Sequence, residues 1–508
     1  MFKQSLTCRL LFCFVSLFNY CKASATYNFI LRMACAVKRC FVSSTVHRYF
    51  TTESKLEKGY SASALYAFFA RVTDMCFTFF AKLGAKCRGG VLYTLLTKLQ
   101  KKFSLRFEHI CAGFIVLMLL IPHSLWNNLY AFGFAVLLTI AYVIHCKRSG
   151  GFADNVRALP VSLLTFIAAI LLGVVISPVR GDSLRIALLY LAAILFMLLC
   201  AGCIRSREKL SSFIKVLLGG LSVLCLFAVV QRFLGVEVNP EFTDVENNAG
   251  MPGRVFATMD NPNNLAEIIV LLLPFTYAKI FNTPTNKAKL GWVGVFALGI
   301  VALMMTYSRS SYVAFAIATL VFVALYNWKL LIPLGILVLL AIPVLPESVT
   351  NRILTIGSLK DTSNATRIFV WDGILKMLAD HGLTGIGLGP EAFGKIYPLY
   401  AHIYGGDVRH AHMLYLELFV EMGVLGGIGF LTFAYSSLKK GLGAYNRTDK
   451  ELRCTIIAAI ASICGISFVC AAEYVWFYPR VMFIFFVVFG LLLSAVRLAK
   501  KQNGGKRV

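Results

Sequence analysis

Four residues combine a side chain capable of chemistry with a position that invites it. His412 lies in Arg409-His410-Ala411-His412-Met413-Leu414-Tyr415, at the start of an apolar run over 412–437. A neutral imidazole can take a proton from a hydroxyl near neutral pH. The plainer role is an interfacial histidine that caps or orients its helix. Arg309 sits in Thr306-Tyr307-Ser308-Arg309-Ser310-Ser311, a tight turn between two apolar runs. A guanidinium offers five donors in a rigid fork suited to phosphate oxygens; the alternative is an arginine snorkelling to lipid headgroups. Arg367 lies in Asn364-Ala365-Thr366-Arg367-Ile368-Phe369-Val370-Trp371. Apolar residues at 368, 371, 374, 375 and 378 predict an amphipathic helix lying on the membrane face. Arg367 would then occupy the first turn, where the helix dipole disfavours a cation, and an anionic ligand would explain it; a solvated loop arginine is the alternative. Arg254, in Pro252-Gly253-Arg254-Val255-Phe256, is a further anion contact or an ordinary loop residue. It precedes Asn261-Pro262-Asn263-Asn264, which reads as a turn capping the next helix.

Weaker signals surround these. Gly385-Ile386-Gly387-Leu388-Gly389-Pro390 has the glycines of a nucleotide loop but lacks the strand-before-helix context, and reads as a flexible turn. Asp244 and Glu246 have carboxylate spacing able to hold a divalent metal, although two acids in a mixed loop are more simply solvated, and no metal site is assigned. Glu417 and Glu421 share a helix face. Glu421, nine residues past His412, projects roughly opposite it at about 100° per residue. It is expected to be an inter-helix hydrogen-bonding partner rather than the histidine's carboxylate. The fifteen cysteines are scattered without zinc spacing and read as small buried hydrophobes.

The elements that must position these residues are helices in a membrane. Of 508 residues, 58% are hydrophobic and only 15% charged, against roughly 25% charged in soluble proteins. The mean hydropathy is +0.74. The fold class is therefore all-α and polytopic. Disorder, collagen and disulfide scaffolds are excluded. Apolar runs long enough to cross a bilayer predict about 12 transmembrane helices, near 108–123, 126–145, 158–179, 184–204, 211–233, 263–282, 290–307, 311–328, 330–346, 412–437, 453–472 and 476–497. Basic residues such as Lys147, Arg148, Arg205, Arg207, Lys287, Lys439 and Lys440 follow alternate spans, which puts them and both termini in the cytoplasm. The four candidates then face outward, and two long loops at 234–262 and 347–411 lie outside. The net charge of +26 reads as a topology signal, with no nucleic acid partner implied. Residues 1–106 hold 17 Lys and Arg against three acids. They are expected to form a basic amphipathic region on the inner leaflet, with an extra span near 10–35 as the competing reading. Residues 107–508 form the transmembrane domain.

His412-Met413, nine residues, then Gly423-Val424-Leu425-Gly426 resembles the H-[NSQ]-x9-G-x-x-G signature of O-antigen ligases and related O-antigen polymerases. The order of parts is similar too: a Ser308-Arg309 turn, a long loop with Arg367 and Trp371, a glycine-rich turn before Phe393, then the histidine helix. The resemblance covers about 290–436, with 253–263 extending it. Met413 departs from the pattern, standing where the family carries a polar residue. The resemblance implies a membrane glycosyltransferase (GT-C-like) fold and transfer or polymerisation of a glycan from a polyprenyl diphosphate, undecaprenyl diphosphate in bacteria, onto a glycan or lipid acceptor hydroxyl. That transfer would be inverting and metal-independent, with no cofactor, in cell-envelope polysaccharide biosynthesis. His412 would be the base, Arg309 and Arg367 would bind the diphosphate, and Arg254 would support them. The rival readings are a secondary transporter or flippase and a noncatalytic scaffold. Transporters often show internal repeats and midplane charges; no repeat is evident, and the candidates cluster at one membrane edge.

Overall fold

The computed structural model describes residues 106–145, 160–239, 252–344, 346–354, 362–401 and 408–504, with scattered positions before 106. Most of the basic N-terminal region, and Asp244 and Glu246, lie outside the described residues. Those described form helices and turns without a strand.

The first five helices are α1 (Phe107–Leu120), α2 (Asn128–His145), α3 (Val161–Ile176), α4 (Arg180–Cys203) and α5 (Arg207–Leu234). The run near 263–282 is split by Pro274 into α6 (Pro262–Leu272) and α7 (Pro274–Asn282), because proline cannot donate to the helix ladder. As the sequence suggests, Asn261 caps α6, its side chain accepting the Asn263 N–H at 2.8 Å with Pro262 in the first turn. Next come α8 (Asn286–Met305) and α9 (Arg309–Asn327). Residues 323–345 separate from the rest of the described chain as part of a unit of their own. This piece holds the end of α9, a turn at Trp328–Leu330, α10 (Leu331–Ala341) and a turn at Ile342–Val344, and leaves Leu337 to Leu340 exposed. The larger unit continues with α11 (Glu347–Leu354), α12 (Thr362–His381), α13 (Pro390–Ile396), α14 (Leu414–Ala444), α15 (Lys450–Cys470) and α16 (Pro479–Gly504).

Every apolar run expected from the sequence forms helix, which makes this a polytopic membrane protein. Eight helical stretches are long and apolar enough to cross a membrane, and 311–328 and 330–346 fall within one of them, Arg309–Ala341. Three further apolar helices are shorter. Two of these, α1 with 14 residues and α3 with 16, reach about 21–24 Å at 1.5 Å per residue, less than the roughly 30 Å hydrocarbon core. The count of twelve full crossings therefore does not follow from helix length alone.

Helix α16 is central. It packs against α4, α14 and α15, while α3 lies along α14 and α5 along α1 and α8. Its Phe483, Phe486 and Phe489 are fully buried. One end of this bundle is tied together by polar contacts. The His123 N–H donates to the Thr258 carbonyl at 3.0 Å, and Arg480 donates to the Ile121 carbonyl at 2.8 Å. At the same end the Val255 N–H bonds the Met305 carbonyl and the Leu414 N–H bonds the Glu473 carbonyl.

Helix α12 and the chain after it form a small apolar core of their own. Val370, Ile374 and Met377 bury against Phe393, Tyr397, Ala411 and Val420. The buried face is offset from the stripe read in the sequence: Ile368 and Leu375 are exposed. The helix is apolar on more than one face, so periodicity alone could not choose which one packs.

Candidate functional site

Helix α14 is not continuous. Gly423 has φ 62° and ψ −165°, which breaks the helix. A break frees backbone groups that need new partners, and the glycine-rich segment supplies them. The Ile386 N–H donates to the Val420 carbonyl at 2.8 Å and the Gly387 N–H to the Glu421 carbonyl at 3.1 Å, while Val424 N–H reaches Gly382 O at 2.9 Å. Gly385, Gly387 and Gly389 all take positive φ, a conformation glycine adopts without steric cost. A Cβ on Gly423 would lie 2.4 Å from the Leu383 carbonyl oxygen. The segment expected to be a flexible turn is thus a buried strap locked into the helix break. Glu421 completes the lock. Its carboxylate accepts from the Gly389 N–H at 2.7 Å and from the Tyr190 hydroxyl at 3.0 Å. It is the inter-helix hydrogen-bonding partner expected from its position.

His412 stands just before α14, held by its neighbours. Ala411 offers its carbonyl to the Trp371 indole N–H at 2.9 Å and its N–H to the Glu417 carboxylate. One residue is therefore gripped from both sides by α12 and α14. The His412 backbone has φ 49°, uncommon for a residue with a side chain and the kind of strain that gathers at functional sites. Its N–H donates to His410 Nδ1 at 3.1 Å, and the two rings lie 4.1 Å apart. That bond requires His410 Nδ1 to carry no proton. Burial, followed by the charges of His412 and Arg367, holds His410 down at about 3, so it is neutral. His412 is also lowered, chiefly by burial, with Glu473 pulling upward and Arg367 downward. It is a neutral imidazole at pH 7, the form a general base needs.

The arginines gather beside it. Arg367 pairs with the Glu473 carboxylate in the turn between α15 and α16, at 2.5 Å with both side chains 17% exposed. Helix α12 begins at Thr362, five residues before Arg367. That puts the guanidinium in the second turn, where the dipole argument lapses; the anion facing it is Glu473. Arg254 is buried. Its Nε donates to the Thr306 carbonyl at 2.7 Å and its Nη2 to Asn263 Oδ1 at 2.6 Å. Burial, then the neighbouring Arg352, lowers it to about 9, with Glu473 opposing and Arg309 adding to the drop; it is still charged at pH 7. Arg352, on α11 and equally buried, donates to the Tyr307 carbonyl at 3.2 Å. Three successive carbonyls, at Met305, Thr306 and Tyr307, are thus held by Val255, Arg254 and Arg352. They fix the turn that delivers Arg309 to the start of α9. Tyr307 in that turn also has positive φ, 50°.

Arg254, Arg367 and His412 therefore share one electrostatic neighbourhood, joined through Glu473, and Arg309 adjoins it through Arg254. Three members were not singled out from sequence. Arg352 is one of several cations in the 347–411 loop. Glu473 follows an apolar run, and an acid beside a span is itself a signal. His410 could have been found from the His-Ala-His spacing. Among the described residues, no group of three or more His, Cys, Asp and Glu is placed to hold a metal ion.

Residues 294–431 match the family model described as O-Antigen ligase. The match lies within a few residues of the stretch that carries the sequence resemblance and includes Arg309, Arg352, Arg367, His412 and the Gly423 break. Arg254 and Glu473 lie outside it. No curated protein matches the chain. The family match supports ligase or polymerase type glycan transfer in polysaccharide assembly.

Proposed function

We propose, with an O-antigen ligase-like segment at 294–431 as the premise, that this chain transfers a glycan from a polyprenyl diphosphate to an acceptor hydroxyl on the outer side of a bacterial inner membrane. The observation that carries the reading is the sharing of Glu473 between the arginine group and His412. Arg309 and Arg367 bind the diphosphate, with Arg254 in support and Arg352 holding the turn. Their charge stabilises the anion that develops as the bond between the anomeric carbon and the diphosphate oxygen breaks. His412 takes the proton of the acceptor hydroxyl as its oxygen forms the new bond to that carbon, from the opposite face. The arginines supply the positive charge that a metal would otherwise provide, and a metal is not part of the proposed step.

The break at Gly423 is a feature that transporters share. Here two of the carbonyls it frees, those of Val420 and Glu421, are taken by the glycine strap and so are not available to coordinate an ion. This favours surface chemistry over transport.

The test is to reconstitute wild type, His412→Ala and Arg309→Ala with a polyprenyl-diphosphate-linked oligosaccharide and follow consumption of the donor and growth of the product. Both variants should lose transfer; unchanged product from both would overturn the mechanism. Repeating the assay with a chelator should leave the rate unchanged. Product length separates a polymerase from a ligase.

A further inference from the structure

Transfer needs two substrates, and the arginine group accounts for one. A cleft of about 670 Å³ opens near His410, within the roughly 300–1,000 Å³ that small-ligand sites occupy. Tyr474 and Phe477 form its wall toward the histidines. The His410 ring lies 4.6 Å from Phe477 and 5.8 Å from Tyr474, and 4.1 Å from the His412 ring. The His410 ring thus touches both the cleft wall and the ring of the proposed base.

The lining divides into two kinds. Among its aromatic residues, Tyr130 and Phe477 are exposed and present ring surface, while Tyr190, Tyr474 and Trp476 are buried, with Trp476 edge to face on Tyr190 and on Phe430. The hydroxyls of Tyr190 and Tyr474 are taken by Glu421 and by each other. At the rim, Asp182 and Arg185 are exposed on the first turns of α4, and Glu391 is exposed at the start of α13. Asn127 and Asn128 add amide groups. Glu391 is 3.5 Å from Arg409, which ties the rim to the segment bearing His410 and His412.

Charge decides what fits. The charged lining is two carboxylates and one guanidinium, a poor host for a diphosphate, whereas the neighbouring site holds four arginines against Glu473. A polyprenyl tail would find rings but would leave the carboxylates, guanidinium and amides of the rim unmatched. A sugar satisfies both halves, with apolar ring faces against aromatics and hydroxyls toward Asp182, Arg185 and the amides. We propose that this cleft binds a sugar unit of the acceptor next to the one whose hydroxyl reaches His412. The inference rests on the transfer reading above.

Direct binding tests it without turnover. The full-length chain is titrated in detergent with a delipidated, phosphate-free oligosaccharide released from the surface polysaccharide of the producing cell, followed by saturation-transfer NMR. Inorganic pyrophosphate is titrated in parallel. Asp182 and Arg185 are exposed, so the double variant Asp182→Ala/Arg185→Ala should fold; it is expected to weaken the oligosaccharide about tenfold or more and leave pyrophosphate unaffected. Arg367→Ala should do the reverse. Oligosaccharide binding unchanged in the double variant, or competition between pyrophosphate and oligosaccharide, would overturn the cleft assignment, as would uptake of the prenyl alcohol farnesol in place of the sugar. The transfer mechanism is judged separately by the His412→Ala turnover result.

Discussion

Arg367 and Glu473 form an ion pair between α12 and the turn that joins α15 to α16. The pair joins two segments 106 residues apart and brings opposite influences to bear on His412, which Glu473 raises and Arg367 lowers. The carboxylate occupies the guanidinium that the proposed diphosphate would need. Donor binding would exchange one anion for another on Arg367 and leave Glu473 closer in effect to His412.

Glu473→Gln tests that exchange. It removes the competing anion, so the donor KM should fall several-fold. It also removes the charge that favours a protonated His412, so the imidazole becomes a weaker base and kcat should fall. Steady-state kinetics with a lipid-linked donor would show the two parameters moving down together. A donor KM that rises would show that Glu473 helps rather than competes.

The pH profile follows from the same neighbours. The transfer step requires neutral His412, whose value is lowered from the ordinary 6.5 mainly by burial. Activity should be full at pH 7 and decline on acidification with an apparent pKa below 6.5. His410, held at about 3, stays neutral through that range and adds no second step. Glu473→Gln should move the acid limb lower, and Arg367→Ala, in whatever activity remains, should move it higher. Stability has the same sign: the unfolded chain binds protons on both histidines near 6.5 and the folded chain does not. Folding free energy is therefore lost as pH falls below 6.5 toward the lower folded values.

Much of this site was legible because its chemistry resides in residue types that are costly beside a bilayer. His412, Arg309, Arg367 and Arg254 stand out against apolar runs, and Asn261 announces the start of α6. What could not be read was pairing at long range. Glu473 is 106 residues from Arg367, and Arg352 reaches the Tyr307 carbonyl 45 residues away. The glycine strap was misread as flexible because its partners, the carbonyls of Val420 and Glu421, become available only when α14 breaks. The buried face of α12 was offset because apolar residues occur on both sides of that helix.

Gly423→Ala should cripple the strap. The new Cβ would meet the Leu383 carbonyl oxygen at 2.4 Å in a backbone with φ 62°, and strain of this kind costs about 1–3 kcal/mol before any clash. The melting temperature in detergent should drop by several degrees and transfer should fall with it. Gly113→Ala on α1, where a Cβ meets nothing within 4 Å, is the control. Helix propensity predicts a neutral or slightly stabilising change of up to about 1 kcal/mol.

The double grip on Ala411 gives the last prediction. Trp371→Phe keeps most of the ring packing on the small core of α12 but deletes the indole N–H that holds the Ala411 carbonyl. One hydrogen bond of this kind is worth about 0.5–1.5 kcal/mol, so the fold should survive. His412, one residue on, would lose half of what fixes its backbone, and misplacement by a fraction of an ångström is expensive for a group that must meet a reacting hydroxyl. kcat should therefore fall by about tenfold or more with the donor KM little changed, because the arginines remain in place. Glu417→Gln keeps a side-chain oxygen able to accept the Ala411 N–H and should be much milder than Glu417→Leu, which leaves that N–H without its acceptor. If Trp371→Phe instead raises donor KM at constant kcat, the tryptophan acts on the donor rather than on the placement of His412.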